Sequence, residues 1–158
     1  MKLYVVRHGD AVSEKVDPAR PLSKDGRATV QRVASFLEDS GVRISRVLHS
    51  GKTRAAQTAE ILAASVAGAA QLEEMAGLKP LDPVAPIVDS VNEWTDDTML
   101  VGHLPFVGSL VSRLVTGSET LPTVFFQPAT TVCLLRLDDD TRTILWVLSP
   151  DLIVHQDR

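Results

Sequence analysis

The apolar run Leu3-Tyr4-Val5-Val6 stops at Arg7-His8-Gly9. A short uninterrupted run of this kind reads as a strand buried on both faces of its sheet. A cation and an imidazole then stand at the strand's carboxyl end, where open α/β sheets bind ligands. Gly9 allows a sharp turn and a close approach of backbone to a bound group. Arg-His-Gly is a short signal by itself. It gains weight from two further segments at strand-to-helix junctions, Ser50-Gly51-Lys52-Thr53-Arg54-Ala55-Ala56-Gln57-Thr58-Ala59 and Val101-Gly102-His103-Leu104-Pro105. Two histidines and two arginines are thereby placed where one pocket can gather them.

The rest of the chain fits this start. Arg7 to Leu22 reads as a loop, broken by Pro18 and Pro21. Ser23 is a candidate N-cap for a helix to about Ser40, with Val30, Val33, Ala34 and Leu37 on one face and Gly41 at its end. Ile44 to His49 reads as a strand, and Thr53 to Ala67 as a helix with Ala55, Ala59, Leu62, Ala63 and Val66 inward. Gln71 to Met75 is a short strand candidate. A helix is expected from Pro83 to Glu93, with Val84, Ile87, Val88 and Val91 inward and Pro86 tolerated in the first turn. Thr98 to Val101 is a strand. Pro105 to Val115 is a helix, with Pro105 suited to its first position. Thr131 to Leu137 and Thr143 to Leu148 form an expected hairpin around Asp138-Asp139-Asp140. Strands alternating with helices, then a hairpin, predict a three-layer α/β/α domain. Its central sheet is mixed and mostly parallel. Residues 1–158 are expected to form one domain, with Asp151 to Arg158 a polar tail.

Composition narrows the function classes. The formal net charge is −4, so the surface as a whole does not point to nucleic acid. No stretch is long enough to cross a bilayer, and the apolar start is too short for a signal peptide. The single Cys133 cannot form an internal disulfide and lies in an apolar strand, so packing is its expected role. These features point to a cytoplasmic protein. Positive charge near Arg7, Arg20 and Arg54 suits an anionic ligand.

The motifs resemble the histidine phosphatase superfamily and, within it, the small SixA-type phosphohistidine phosphatases. Four segments carry the resemblance: Arg7-His8-Gly9-Asp10-Ala11, Arg20-Pro21-Leu22-Ser23 to Gly26, Ser50 to Ala59, and Gly102-His103-Leu104-Pro105-Phe106-Val107-Gly108. They occur in the family's order and span Met1 to about Pro150. The resemblance implies that His8 is the nucleophile and His103 a second phosphate ligand, with Arg7 and Arg54 clamping the phosphoryl oxygens. Physical chemistry supports the same roles. Arginine stays charged and offers phosphate a planar fork of donors. Arg54 also falls at a helix start, where free N–H groups favour an anion. Neutral imidazole can attack phosphorus at neutral pH, giving a covalent intermediate that water hydrolyses.

Plainer roles compete with these. Arg54 could cap a surface or pair with Glu60. Arg20 is either a solvated loop charge or a phosphate or substrate contact. Ser50 reads as the N-cap of the following helix. His49 and His155 lack motif support and read as non-catalytic. A metal bound by His8 and His103 would face repulsion from two arginines and lacks the usual carboxylate or thiolate ligands. No metal or other cofactor is therefore expected.

Departures from the wider superfamily sharpen the substrate. Asp10 stands where many members have Glu and is shared with the SixA type. Gly51 replaces a Pro and is expected only to loosen the turn before Arg54. Leu104 replaces the Asp that serves as general acid in the acid-phosphatase branch, and Glu73 and Glu74 are acid candidates by rough position only. An alkoxide leaving group needs a proton, whereas imidazole is a weaker base and leaves more easily. The chain also has little length to spare for a lid. The expected substrate is accordingly a phosphohistidine-bearing protein, such as a phosphotransfer domain of a signalling relay or sugar-transport system. Inorganic phosphate or another oxyanion should occupy the pocket, with nucleic acid and membrane excluded as partners. The alternatives are a phosphatase for small phosphate monoesters and a non-catalytic phosphate-binding docking module.

Overall fold

A computed structural model describes residues 1–68 and 71–153. His155 and most of the expected tail lie outside the described residues.

The elements alternate as the apolar pattern requires. In order they are β1 (Lys2–Arg7), α1 (Lys24–Asp39), β2 (Arg46–His49), α2 (Thr53–Val66), β3 (Gln71–Glu74), α3 (Ala85–Glu93), β4 (Thr98–Gly102), α4 (Phe106–Thr116), β5 (Thr131–Arg136) and β6 (Arg142–Leu148). The six strands form one sheet in the order β3-β2-β4-β1-β5-β6. β1 pairs with β4, β4 with β2 and β2 with β3, all parallel; β5 and β6 add on antiparallel. This is the expected mixed, mostly parallel sheet.

Strand alternation sorts the core into two halves. Tyr4, Val6, Val47, Met99, Val101 and Cys133 face α1 and α2, meeting Val30, Leu37, Ala59 and Leu62. Leu3, Val5, Leu48, Leu100, Val132 and Leu134 face the other way, meeting Ile87 and Val91 of α3 and Val107 and Leu110 of α4. Each such aliphatic side chain contributes about 1.5–3 kcal/mol on burial. Both faces of β1 are thus covered, which is why its sequence is continuously apolar. Cys133 is buried in this packing, as expected.

Helix ends follow local chemistry. Ser23 caps α1, its Oγ accepting from Gly26 N at 2.9 Å. α3 starts at Ala85 rather than Pro83, with Pro86 inside its first turn. Pro105 is the N-cap of α4 rather than its first helical residue. The chain end also differs from a polar tail at its start. Pro150–Leu152 make one 3₁₀ turn, Pro150 is buried, and Ile153 packs against the α1–α2 half of the core.

Parallel pairing brings the loops after β1, β2, β3 and β4 to one edge of the sheet. The segment entering β5 reaches the same edge, because Thr131 pairs with Val6 at the end of β1.

Candidate active site

At that edge the backbone of β1 continues its pairing one residue further. His8 N donates to Gly102 O at 2.9 Å, next to His103. The two imidazoles are neighbours, with ring centroids 4.9 Å apart and planes inclined by 55°. His103 is buried and His8 half-buried.

The His8 ring has a defined tautomer. Its Nδ1 lies 2.6 Å from Gly9 O. A carbonyl only accepts, so Nδ1 carries the proton and Nε2 keeps a free lone pair. His103 is fixed from the other side. Its Nε2 lies 2.6 Å from Ser50 Oγ, and Ser50 Oγ also accepts from Lys52 N at 3.3 Å. The bond to Ser50 occupies Nε2 and orients the ring, leaving Nδ1 as its other nitrogen. That Nδ1 is buried and has no partner among the described residues.

The arginines are placed by backbone groups. Arg7 Nη1 donates to Phe126 O at 2.9 Å. Arg54 stands in the first turn of α2, at the positive end of the helix. Its carbonyl accepts from Thr58 Oγ1 at 2.7 Å, and Thr58 Oγ1 accepts from Gly9 N at 3.0 Å. Thr58 thereby ties the His8 loop to the Arg54 turn. Gln57 does the same one residue earlier, its Oε1 accepting from Leu22 N at 2.8 Å. Arg20 sits at φ 48, with Nε donating to Val12 O at 3.2 Å. Its charge reaches the pocket, since it lowers the pKa of His8, His103 and Arg54.

Electrostatics keep both imidazoles neutral. The His8 pKa is lowered to about 4, first by burial and then by Arg54, Arg7 and Arg20, against an opposing pull from the Gly9 carbonyl. His103 is lowered to about 3, by burial and then by His8, Arg54, Lys52 and Arg20. Burial also lowers Arg7 and Arg54, yet arginine remains a cation in proteins. The pocket is a concentration of positive charge around two neutral rings. Among the described residues no group of three His, Cys, Asp or Glu side chains is arranged to hold a metal ion.

Sequence-based expectations are adjusted at several points. Ser50 is not the N-cap of α2; Lys52 holds that position, and the Ser50 hydroxyl serves His103. Gly9 has a further role beyond the sharp turn and the close approach expected of it. A Cβ there would lie 2.6 Å from Val30 Cγ2, so glycine lets β1's loop close onto α1. Gly51 does more than loosen a turn. It has φ +88, and a side chain there would collide with the Glu74 carboxylate. Proline cannot take that φ, so this turn as it stands excludes it. His49 is structural, its Nδ1 accepting from Gly51 N at 3.0 Å. Thr58, Gln57 and the Phe126 carbonyl had no expected role.

Known proteins resemble this chain in sequence and in fold. A profile of the Histidine phosphatase superfamily (branch 1) matches residues 3–82. Phosphohistidine phosphatase SixA of Escherichia coli (strain K12) is 33% identical over 156 residues, covering 95% of this chain and 94% of that protein. The solved structure of the protein histidine phosphatase SixA complexed with tungstate superposes with a TM-score of 0.84 at 28% identity, covering 96% of this chain and 98% of that one. A phosphoserine phosphatase from Entamoeba histolytica in complex with 3-phosphoglyceric acid gives a TM-score of 0.74 at 13% identity over 94% and 96% of the two chains, a likeness of fold alone.

Proposed function

The chain belongs to the histidine phosphatase superfamily, branch 1, and from that membership we propose that it is a protein phosphohistidine phosphatase with Nε2 of His8 as nucleophile. The Nδ1–H···O bond from His8 to Gly9 carries this reading, because it leaves Nε2 unprotonated beside the arginines. The low pKa of His8 adds to it, keeping the ring neutral at physiological pH.

The reaction has two displacements. Nε2 of His8 attacks phosphorus, and the bond from phosphorus to the substrate imidazole breaks with its electron pair going to that nitrogen, the ring leaving as neutral imidazole because its other nitrogen carries a proton. Water then attacks the phosphohistidine formed on His8, releasing inorganic phosphate and restoring the ring. Arg7, Arg54 and Arg20 hold the phosphoryl oxygens, and His103 Nδ1–H offers a further donor. Charge on these oxygens is thus met by donors already in place, where electrostatic stabilisation is most effective.

The relative that forms a tungstate complex supports an oxyanion in this pocket. Its name, and that of the Escherichia coli protein, support a phosphohistidine-bearing protein as substrate. A cytoplasmic place in a signalling relay or sugar-transport system completes the reading. The lone buried cysteine supports it, as do the described helices, none of which is long and apolar enough to cross a membrane.

The decisive experiment is phosphate release from a panel of phosphohistidine proteins, sugar phosphates and aryl phosphates. Phosphohistidine should be preferred, and His8→Ala should lose on the order of 10³- to 10⁶-fold in rate. Labelled phosphate should be trapped on the wild type as an acid-labile, base-stable adduct and not on the variant. Near-normal turnover by His8→Ala would refute the covalent mechanism.

A further inference from the structure

The mouth of the pocket is chemically two-sided. Three large apolar side chains stand in solvent on segments at the edge where the parallel strands end. Leu81, in the loop from β3 to α3, is 88% exposed, and Phe125, in the segment entering β5, is 84% exposed. Leu104, directly after His103, is 40% exposed and lies against Gly108 in the first turn of α4. Phe125 is tied to the catalytic pocket through its neighbour, since the Phe126 carbonyl accepts from Arg7. Leu78 and Phe126, near Leu81 and Phe125 in the chain, are buried in the α3–α4 half of the core. On the α1–α2 side the pocket is bordered by Arg20 and Lys52, whose charges reach His103.

A lone phosphate or a small phosphorylated metabolite has no use for an apolar ridge outside its binding pocket. A contiguous exposed apolar patch beside a binding site marks a macromolecular contact. We infer that Leu81, Leu104 and Phe125 form the docking ridge for the protein that carries the phosphohistidine. That partner presents its phosphorylated ring from a surface with apolar side chains on one flank and acidic ones on the other. The inference rests on the phosphohistidine reading and adds how the partner is held. Continuity with the phosphoryl pocket selects this occupant, and so does the cationic border, which repels a second copy's identical cations and attracts an acidic flank. Phe125 is the expected anchor, since exposed aromatic side chains dominate binding energy when a partner covers them.

The test compares two substrates of the same bond type. One is a histidine phosphotransfer domain phosphorylated chemically on its histidine, and the other is free phosphohistidine. Wild-type kcat/KM should favour the protein by about tenfold or more. The double variant Phe125→Ser, Leu81→Ser should lose about tenfold against the protein, through KM, and keep its rate on free phosphohistidine. Neither side chain belongs to the core, so the fold tolerates both changes. Equal rates on both substrates in the wild type would overturn the inference. So would a double variant unchanged on the protein, or one that loses activity on both substrates. A drop in molar mass by light scattering on going to the double variant would assign the ridge to self-association instead. Wild-type enzyme inactive on both substrates would refute the phosphohistidine reading itself.

Discussion

Ser50 Oγ stands 2.6 Å from His103 Nε2, and this hydroxyl decides which nitrogen of His103 can face a phosphoryl group. With Nε2 bonded to the serine, Nδ1 is the nitrogen left free, and it donates to a phosphoryl oxygen in the tautomer in which the serine donates to Nε2. Ser50→Ala removes that control without opening the core, because only a hydroxyl is lost. We expect kcat to fall about tenfold or more with KM changed little, since a misplaced tautomer weakens a donor that matters most as charge develops. Ser50→Thr should retain much of the activity, because the hydroxyl remains. Wild-type kcat for Ser50→Ala would mean that His103 is oriented by other contacts.

The Ser50 role was hidden in the sequence because its partner lies 53 residues away. A serine ahead of a helix looks like a cap, and only the fold shows that Lys52 takes the cap and frees the hydroxyl. The Arg7 contact with Phe126 was hidden more deeply, since a backbone carbonyl 119 residues on has no sequence signature. By contrast, β1 and its Arg7-His8 end were legible because charge interrupts a continuously apolar run. Both faces of that run are in fact buried. Helices α1, α2 and α4 were legible from apolar spacing, and their ends missed by a residue or so where Pro105 caps rather than opens a helix. The need for room beside Val30 at Gly9 was not legible, because it is a tertiary requirement.

His8 should titrate far below an ordinary histidine. In phosphate-free buffer its ring signals should move near pH 4, and those of His103 near pH 3. A titration of His8 near the ordinary 6.5 would show that neither burial nor the neighbouring arginines act on it. The same shift has a stability consequence with a definite sign. Between 6.5 and about 4 the unfolded chain binds a proton at His8 that the folded chain refuses. Stability therefore falls as pH drops through that window and rises as pH increases. His8→Asn should flatten this part of the Tm-against-pH curve, which thermal scans at several pH values would read.

Arg54→Lys should not behave as a mild change. Lysine preserves the charge at the start of α2 but loses the planar fork. The expected loss in kcat/KM is about 10- to 100-fold, comparable to removing one preorganised donor. Circular dichroism should report an unchanged fold, since Thr58 bonds to the Arg54 backbone and not to its side chain. Normal kinetics would remove Arg54 from the phosphoryl clamp.

Oxyanions should stabilise the protein and chelators should leave its activity unchanged. Arg7, Arg20, Arg54 and Lys52 are gathered near two neutral rings, and the ion pair found among the described residues, Arg136 with Asp140, is elsewhere. Vanadate, tungstate or phosphate relieves that repulsion. At a hundredfold excess over Kd the gain is about 2.7 kcal/mol. For a chain of this size that raises Tm by about 5–10 °C. Arg7→Ala and Arg54→Ala should each reduce the shift. Activity lost to a chelator and restored by zinc or magnesium would overturn metal independence.

The leaving group separates the phosphohistidine reading from a phosphatase for small esters. Glu74 ends β3, and its carboxylate rests on Gly51 in the loop that also holds Ser50. Glu73 is the neighbouring exposed residue of the same strand. If either carboxyl donated a proton to the departing group, its loss would cost roughly 10²- to 10⁴-fold on substrates with poor leaving groups. Imidazole leaves without such help, so Glu73→Gln and Glu74→Gln should hydrolyse phosphohistidine within a few-fold of wild type. Alkyl phosphates should be slow for wild type and both variants alike, and an aryl phosphate should lie between the two classes. Steady-state rates on the three substrates read this directly. Fast wild-type turnover of a sugar phosphate that collapses in Glu74→Gln would make Glu74 the working acid and the protein a small-ester phosphatase.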